Sequence, residues 1–181
     1  GMMALAAEHH KAGRLEQAEK LCRQVLQKNT KNVDALRMLG LIAAAAGDLE
    51  DAEHLLRQAL ESAPDHLPAM FELGRVLKEL DHHEQAIEVY REIVTRQPDS
   101  AKAHFRLAGV LGPAALTKES AAAYQHCLDL APQHAGAWLG LGHMLKTLGR
   151  QDEGIQAYQR CLEIEPDFGE VYYSLANLKT Y

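Results

Sequence analysis

The sequence predicts an all-α protein, a solenoid of repeated helical units, and three observations lead to that prediction. Four prolines, Pro64, Pro98, Pro132 and Pro166, are each separated by 34 residues. The units align on this period without insertion or deletion, and a fixed period of this length is the signature of repeat architectures. The chain is 47% hydrophobic but only 6% aromatic, and the Ala and Leu that supply much of the apolar share favour helices.

The period divides the whole sequence into units of one length. We expect one solenoid domain over residues 1–181, belonging to a longer protein. The predicted repeats are 1–32, 33–66, 67–100, 101–134, 135–168 and a half repeat at 169–181.

Each unit combines small residues at two positions with a larger residue at a third. Small residues let two helices approach closely, and the large side chain fills the space beside them. The eighth position holds Gly40, Gly74, Ala108, Gly142 and Ala176, and the twentieth holds Ala18, Ala52, Ala86, Ser120 and Gly154. The twenty-fourth position holds Leu56, Tyr90, Tyr124 and Tyr158.

These residues resemble the tetratricopeptide repeat, and the match is close at Trp138, Leu141, Gly142, Tyr158 and Pro166. The resemblance covers essentially the whole chain. It implies that each unit is a pair of antiparallel helices joined by a short turn, and that the pairs stack into a right-handed superhelix. The proline near the end of each unit stops its second helix.

The repeat at 101–134 is irregular. Gly109, Gly112 and Pro113 stand where its first helix should finish. Proline cannot extend a helix for long, and glycine weakens one by about 1 kcal/mol relative to alanine. We therefore expect a shortened first helix in this repeat.

The family resemblance also implies a binding groove, because its first helices line the concave face. Residues spaced by three and four share one face of a helix, which agrees with that placement. The candidate groove residues are Arg37, Leu41, Phe71, Arg75, Lys78, Lys102, Phe105, Arg106, Leu139, His143, Lys146, Tyr173 and Asn177.

Charge is distributed unevenly over the predicted helices. The net charge is −6, yet the first helices carry an excess of Lys and Arg while the second helices and turns carry the acidic residues. A basic surface with interspersed aromatic side chains favours a protein or extended peptide with acidic and apolar side chains. The alternative interpretation is that these cations are ordinary solvated surface charges.

Several other classes of function find no support in the sequence. There is no phosphate-binding glycine loop, nucleophile motif or metal-ligand cluster, so we predict no cofactor, no metal and no catalysis by this region. The acidic balance disfavours nucleic-acid binding, and no apolar run is long enough to span a membrane. Three cysteines without paired spacing suit a reducing compartment, which predicts a cytoplasmic protein.

The last residues carry a more specific resemblance. Residues 169–170 and 174–180 are similar to the final repeats of bacterial proteins in which tetratricopeptide repeats lead into a sulfotransferase domain. The resemblance implies the recognition arm of a larger, sulfotransferase-like protein, with any catalysis belonging to another part. The alternative is a stand-alone adaptor or a module that self-associates through residues 2–7 and 171–178.

Overall fold

The computed structural model describes residues 1–178, which form eleven α-helices and no strand. This confirms the all-α prediction over the described part of the chain. The helices are α1 (Met2–Lys11), α2 (Leu15–Lys28), α3 (Val33–Ala46), α4 (Leu49–Ser62), α5 (Leu67–Glu79), α6 (His83–Arg96), α7 (Ala101–Leu111), α8 (Thr117–Leu130), α9 (Ala135–Thr147), α10 (Gln151–Ile164) and α11 (Gly169–Leu178).

The odd-numbered helices from α3 onward begin at residues 33, 67, 101, 135 and 169, the first positions of the predicted units. Four of these helices are capped by the residue that precedes them. The side chain of that residue accepts a hydrogen bond from a backbone N–H of the first turn. These caps are Asn32, His66, Ser100 and His134. The period therefore sets where each helix begins as well as how often.

The chain divides into two compact units, residues 1–89 and residues from 90 onward. In the first unit, α1 packs on α2, α3 on α4, and each pair on the next helix. Its core consists mainly of small and aliphatic side chains, including Ala6, Cys22 and Met38. In the second unit α7 packs on α8 and α9 on α10, and α11 packs on α10. Tyr158 and Cys161 are fully buried there.

The predicted contact between small and large positions is confirmed in two repeats. A Cβ added at Gly40 would lie 2.9 Å from Leu56 Cγ, and one added at Gly142 would lie 2.5 Å from a ring carbon of Tyr158. The irregular repeat differs. Tyr124 packs against Gly140 of the following repeat, while the Ser120 hydroxyl donates to the carbonyl of Ala108 over 2.8 Å.

The first helix of the irregular repeat, α7, is shorter than the first helices α3, α5 and α9 of the other repeats between residues 33 and 168, as predicted. Helix α7 has 11 residues, whereas α3 has 14 and α9 has 13. Gly112 and Pro113 follow its last residue, where the ring of proline excludes further helical hydrogen bonding.

The turn inside each helix pair requires one residue with left-handed backbone geometry. The residues that adopt it recur every 34 positions: Gly13, Gly47, Asp81, Ala115 and Gly149, with φ between 59° and 87°. Glycine adopts this geometry without steric strain, whereas a Cβ in this region costs roughly 1–2 kcal/mol. Asp81 and Ala115 are therefore the two members that carry a Cβ in this region, and alanine lacks the short polar side chain that helps aspartate to tolerate it.

Replacing Ala115 with glycine should raise the free energy of unfolding by about 1 kcal/mol, because it removes the steric strain of the left-handed Cβ. Urea unfolding followed by the fluorescence of Trp138 would measure the change. Gly149→Ala, which introduces the same strain at the equivalent turn, should lower stability by a similar amount. A neutral result for Ala115→Gly would show that the turn relaxes around alanine.

Candidate functional site

In the unit of residues 1–89, the candidate residues lie on α3 and α5. Arg37 and Leu41 are four residues apart on α3 and both are half-buried. The Nε atom of Arg37 is buried and has no hydrogen-bond partner within the described part of the chain. Phe71 on α5 is half-buried, and Lys78 is exposed.

Arg75 on α5 is held by carboxylates of its own helix. Its Nε donates to Glu72 over 3.2 Å and its Nη1 donates to Glu79 over 2.6 Å. Burial acts to lower the pKa of Arg75, but these two hydrogen bonds outweigh it and raise that pKa above its ordinary value. A ligand carboxylate would have to compete with both, so Arg75 is a weaker anion-binding group than the sequence predicts.

In the unit that begins at residue 90, α7 carries two cations and an aromatic ring within residues 102–106. Lys102 and Arg106 are exposed, and Phe105 is half-buried. The Phe105 ring lies 5.9 Å from Tyr124 and 4.4 Å from His134, measured between ring centroids. These contacts fix the ring, so α7 combines a rigid apolar surface with exposed positive charge.

Helix α9 contributes His143 and Lys146 but not Leu139. Leu139 is only 8% exposed and belongs to the core cluster with Tyr158 and Val171. A groove residue needs an accessible side chain, but Val171 of α11 packs in the same cluster and leaves Leu139 buried. This position therefore does not fit the predicted role of Leu139 in the groove. Lys146 is exposed.

His143 links three helices of this unit. Its Nδ1 atom lies 2.9 Å from the hydroxyl of Tyr158 on α10, and its Nε2 atom lies 3.4 Å from a carboxylate oxygen of Glu170 on α11. The Tyr158 ring also meets the imidazole edge to face at 5.4 Å. The histidine is thus oriented by the protein and leaves about a third of its side chain exposed.

The remaining candidates are on α11. Tyr173 is 73% exposed and Asn177 is exposed one helical turn later. The neighbouring Tyr172 donates its hydroxyl proton to the carbonyl of Pro166 over 2.9 Å. Residues 179–181, including Lys179 and Thr180 of the sulfotransferase-like segment, lie outside the described residues.

Sequence reasoning missed the local partners of these residues. The spacing of Glu72 and Glu79 from Arg75 permits ion pairs on a helix and could have indicated them. Two histidines that resemble ordinary surface residues are helix caps, since Nδ1 of His66 and of His134 accepts from the amides of Ala69 and Ala137. Their recurrence at the position of Asn32 and Ser100 was the available signal.

Residues 1–178 contain no group of three His, Cys, Asp or Glu side chains arranged to hold a metal ion. Burial raises the pKa of the thiols of Cys22, Cys127 and Cys161, which keeps them protonated and weakens their reactivity. No helix in the described residues has the length and apolar character needed to cross a membrane.

Comparison with known families decides the classification. Tetratricopeptide repeat models match residues 9–73 and 43–111 in one form and residues 135–168 in another. The chain belongs to the tetratricopeptide repeat family. Tetratricopeptide repeats are non-catalytic modules of protein interaction, and no curated protein matches this member.

Solved tetratricopeptide structures share the fold. MamA from Desulfovibrio magneticus RS-1, solved from residue 41 to its end, has a TM-score of 0.85 at 20% identity, covering 93% of this chain and 95% of that one. YrrB, described as a tetratricopeptide protein with an unusual peptide-binding site, has a TM-score of 0.85 at 16% identity, covering 97% and 90%. MamA of AMB-1 has a TM-score of 0.78 at 22% identity, covering 96% and 94%.

Proposed function

We propose that this tetratricopeptide protein is a scaffold module that binds a protein or an extended peptide through its first helices. The observation that carries the proposal is the surface of α7 and α9 in the second unit. It consists of Lys102, Phe105, Arg106, His143 and Lys146, and combines three exposed cations with an aromatic ring that Tyr124 and His134 hold in place. Tyr173 and Asn177 extend it on α11, and Lys78 and Phe71 offer a smaller equivalent in the first unit.

The chemistry of this surface favours a ligand with carboxylates and apolar side chains. Within the described residues, Arg106 and Lys146 make no ion pair, so a ligand carboxylate would not have to displace an internal one. Phe105 offers an apolar contact, and Tyr124 and His134 already hold its ring in place. A ligand would therefore lose little conformational entropy by ordering this side chain. The YrrB structure supports the idea that this fold accommodates peptides.

Reversing the charge at Lys102, Arg106 and Lys146 together should weaken binding of an acidic peptide about 10- to 100-fold, since three exposed charge contacts contribute roughly 1–3 kcal/mol in all. The probe is a fluorescent peptide of about ten residues that alternates Glu with Leu and contains Pro to keep it extended. Fluorescence anisotropy on the full chain measures the affinity.

The matched control is Arg160→Glu, which reverses a cation on the second helix α10, where Arg160 pairs with Glu163. It should leave the affinity within about twofold, because exposed ion pairs of this kind contribute little. If the control lost about one third of the binding free energy that the triple variant loses, net charge alone would govern binding, because the control reverses one charge and the triple variant three. Unchanged binding in the triple variant would remove the first helices from the proposal.

We also propose that the module is a cytoplasmic recognition arm of a larger bacterial, sulfotransferase-like protein. The support is the sequence resemblance over residues 169–170 and 174–180, and the three free, buried thiols suit a reducing compartment. Reading the coding frame of the parent gene tests the context. A strand followed by a phosphate-binding loop after the repeats would support it, and further repeats or a stop codon would reject it.

A self-association module is the second candidate, and exposed apolar side chains favour it. Met2 and Leu5 on α1 are exposed, as are Tyr172 and Tyr173 on α11. Apolar side chains clustered at exposed helix surfaces are a common basis of association. Sedimentation over a range of concentrations distinguishes the candidates, since a monomer throughout excludes self-association of this chain.

A further inference from the structure

A depression of about 520 Å³ is lined by α8, α9 and α10 in the unit that begins at residue 90. Its lining shares no residue with the first-helix candidates described above and includes residues of the second helices. The floor is apolar and the rim is polar. The floor contains Ala121, Ala122, Leu141, Leu145 and Leu148, and the rim contains Lys118, Gln125, Arg150 and Glu153. We call it the α8–α10 groove.

The equivalent position in two other repeats is bridged by a hydrogen bond between successive second helices. Arg57 donates to Gln85 over 2.6 Å, and Arg91 donates to Glu119 over 2.6 Å. At the α8–α10 groove the equivalent residues are Gln125 and Glu153. They lie one period after the pair Arg91 and Glu119, and two periods after the pair Arg57 and Gln85.

Here the bridge is missing because both residues are bonded elsewhere. Gln125 donates to Asp129 of its own helix over 2.9 Å. Glu153 accepts two hydrogen bonds from Arg150, at 2.7 Å and 2.5 Å. These hydrogen bonds lower the pKa of Glu153. The carboxylate therefore stays ionised and bound to the guanidinium of Arg150. The α8–α10 groove is therefore open, whereas the Arg57–Gln85 and Arg91–Glu119 hydrogen bonds cross the equivalent position in two other repeats.

The size of one floor residue also opens the groove. Ala121 occupies the position that holds Ile87 one period earlier and Ile155 one period later. Alanine lacks the three further carbon atoms of isoleucine, and that missing volume lies beside Leu141 and Leu145.

The rim charge indicates what kind of side chain would accompany an apolar anchor. Within the described residues Lys118 makes no ion pair or hydrogen bond, and Arg150 uses only Nε and Nη2 on Glu153. The groove in the same register between α2 and α4 is different. It is bordered by Glu19, Asp48 and Asp51, and its cation Arg23 is bound to Glu19.

We propose that the α8–α10 groove is a second protein-docking site, which takes a partner helix carrying a branched apolar side chain flanked by carboxylates. The apolar side chain fills the volume that Ala121 leaves empty, and a carboxylate pairs with Lys118. An amphipathic helix laid into an apolar groove is a common mode of recognition. The acidic rim of the α2–α4 groove excludes the same partner there.

The test uses two fluorescent peptides of about 14 residues, the length at which an isolated helix becomes marginally stable. Both carry Leu at helical spacing of three and four. One carries Glu at the flanking positions and the other carries Lys. Anisotropy titrations on the full chain should show that the Glu peptide binds at least about tenfold more tightly than the Lys peptide, because only the former pairs with Lys118.

Three variants locate the binding. Ala122→Glu, at an exposed floor position that carries little folding risk, should weaken the Glu peptide about tenfold or more. Ala121→Ile, which restores the neighbouring repeats' side chain, should weaken both peptides by filling the cavity. Lys118→Glu should reverse the preference in favour of the Lys peptide.

Arg160→Glu, at an exposed residue of α10 that does not line the groove, should leave the affinity for the Glu peptide within about twofold. If both Ala122→Glu and Ala121→Ile left the affinity for the Glu peptide unchanged, the proposal would be overturned. This holds whatever the result of the charge-reversal experiment on the first helices. Loss of a self-associated form in Ala121→Ile without binding of either peptide would also overturn it, and would make a second copy of the chain the occupant.

Discussion

Replacing Tyr158 with alanine should lower the free energy of unfolding by about 3–5 kcal/mol, the range for removing a large aromatic side chain from a core. Tyr158 is fully buried and contacts the core residues around Leu139 and Val171. Its ring fills the space beside Gly142 and its hydroxyl meets His143. The substitution therefore removes the contact that joins α9, α10 and α11.

Urea unfolding followed by tryptophan fluorescence measures the loss of unfolding free energy in Tyr158→Ala, and the fluorescent residue lies close to the substitution. The chain has one tryptophan, Trp138, and it packs against the cluster that contains Tyr158. Tyr158→Phe keeps the ring and removes the hydroxyl, so it should cost only about 0.5–1.5 kcal/mol. Tyr173→Ala, at a side chain that is 73% exposed, should stay within about 0.5 kcal/mol of the parent.

These values would separate ring packing from the hydrogen bond. If Tyr158→Phe lost as much stability as Tyr158→Ala, the hydrogen bonds of the hydroxyl with His143 and Ser174 would dominate the junction. If Tyr158→Ala lost less than about 1 kcal/mol, the surrounding helices would have closed over the cavity. In either case the assignment of the twenty-fourth position as the main packing residue of this repeat would be wrong.

The fold was largely predictable because the period carries several independent signals in one register. The starts of the first helices at residues 33, 67, 101, 135 and 169 follow the repeat. A capping residue precedes each of the first four of these helices. A turn residue with left-handed backbone geometry recurs with the same period. Agreement of pattern, caps and turns is what makes a sequence specify one structure. The shortening of α7 followed from Gly112 and Pro113.

The candidate site was less predictable, because accessibility depends on neighbours that a helix periodicity does not describe. Leu139 has the spacing of a groove residue, but Val171 and Tyr158 bury it. Arg75 has the charge of an anion-binding residue, but Glu72 and Glu79 occupy its guanidinium. The sequence predicted which helix face each residue shares. Which side chains stay available is decided by packing and ion pairing in three dimensions.

The second large effect is expected from a single added carbon atom. Gly142→Ala should lower the free energy of unfolding by roughly 1–3 kcal/mol, the usual cost of overpacking a core. A Cβ at this position would lie 2.5 Å and 2.7 Å from two ring carbons of Tyr158. The ring is fully buried and cannot move aside without displacing its neighbours. Alanine's better helix propensity, worth up to about 1 kcal/mol, opposes this loss only in part.

Gly136→Ala is the matched control in the same helix. Its Cβ would meet His134 at 3.4 Å and Phe105 at 3.6 Å, which are ordinary contacts or close to them. Here helix propensity should prevail, and stability should rise by about 0.5–1 kcal/mol. The two substitutions are chemically identical and lie on one helix, so opposite signs would assign the loss at Gly142 to the contact with Tyr158.

A double-mutant cycle tests that assignment directly. In the background of Tyr158→Ala the added methyl group at position 142 has no ring to meet, so its cost should vanish or turn into a gain. The coupling between the two sites should be about 1–3 kcal/mol, as for other residues in contact. Additive effects would instead mean that alanine at 142 strains the backbone or a different neighbour. That outcome would leave the small eighth position of this repeat without its packing explanation, because that explanation rests on the contact between Gly142 and Tyr158.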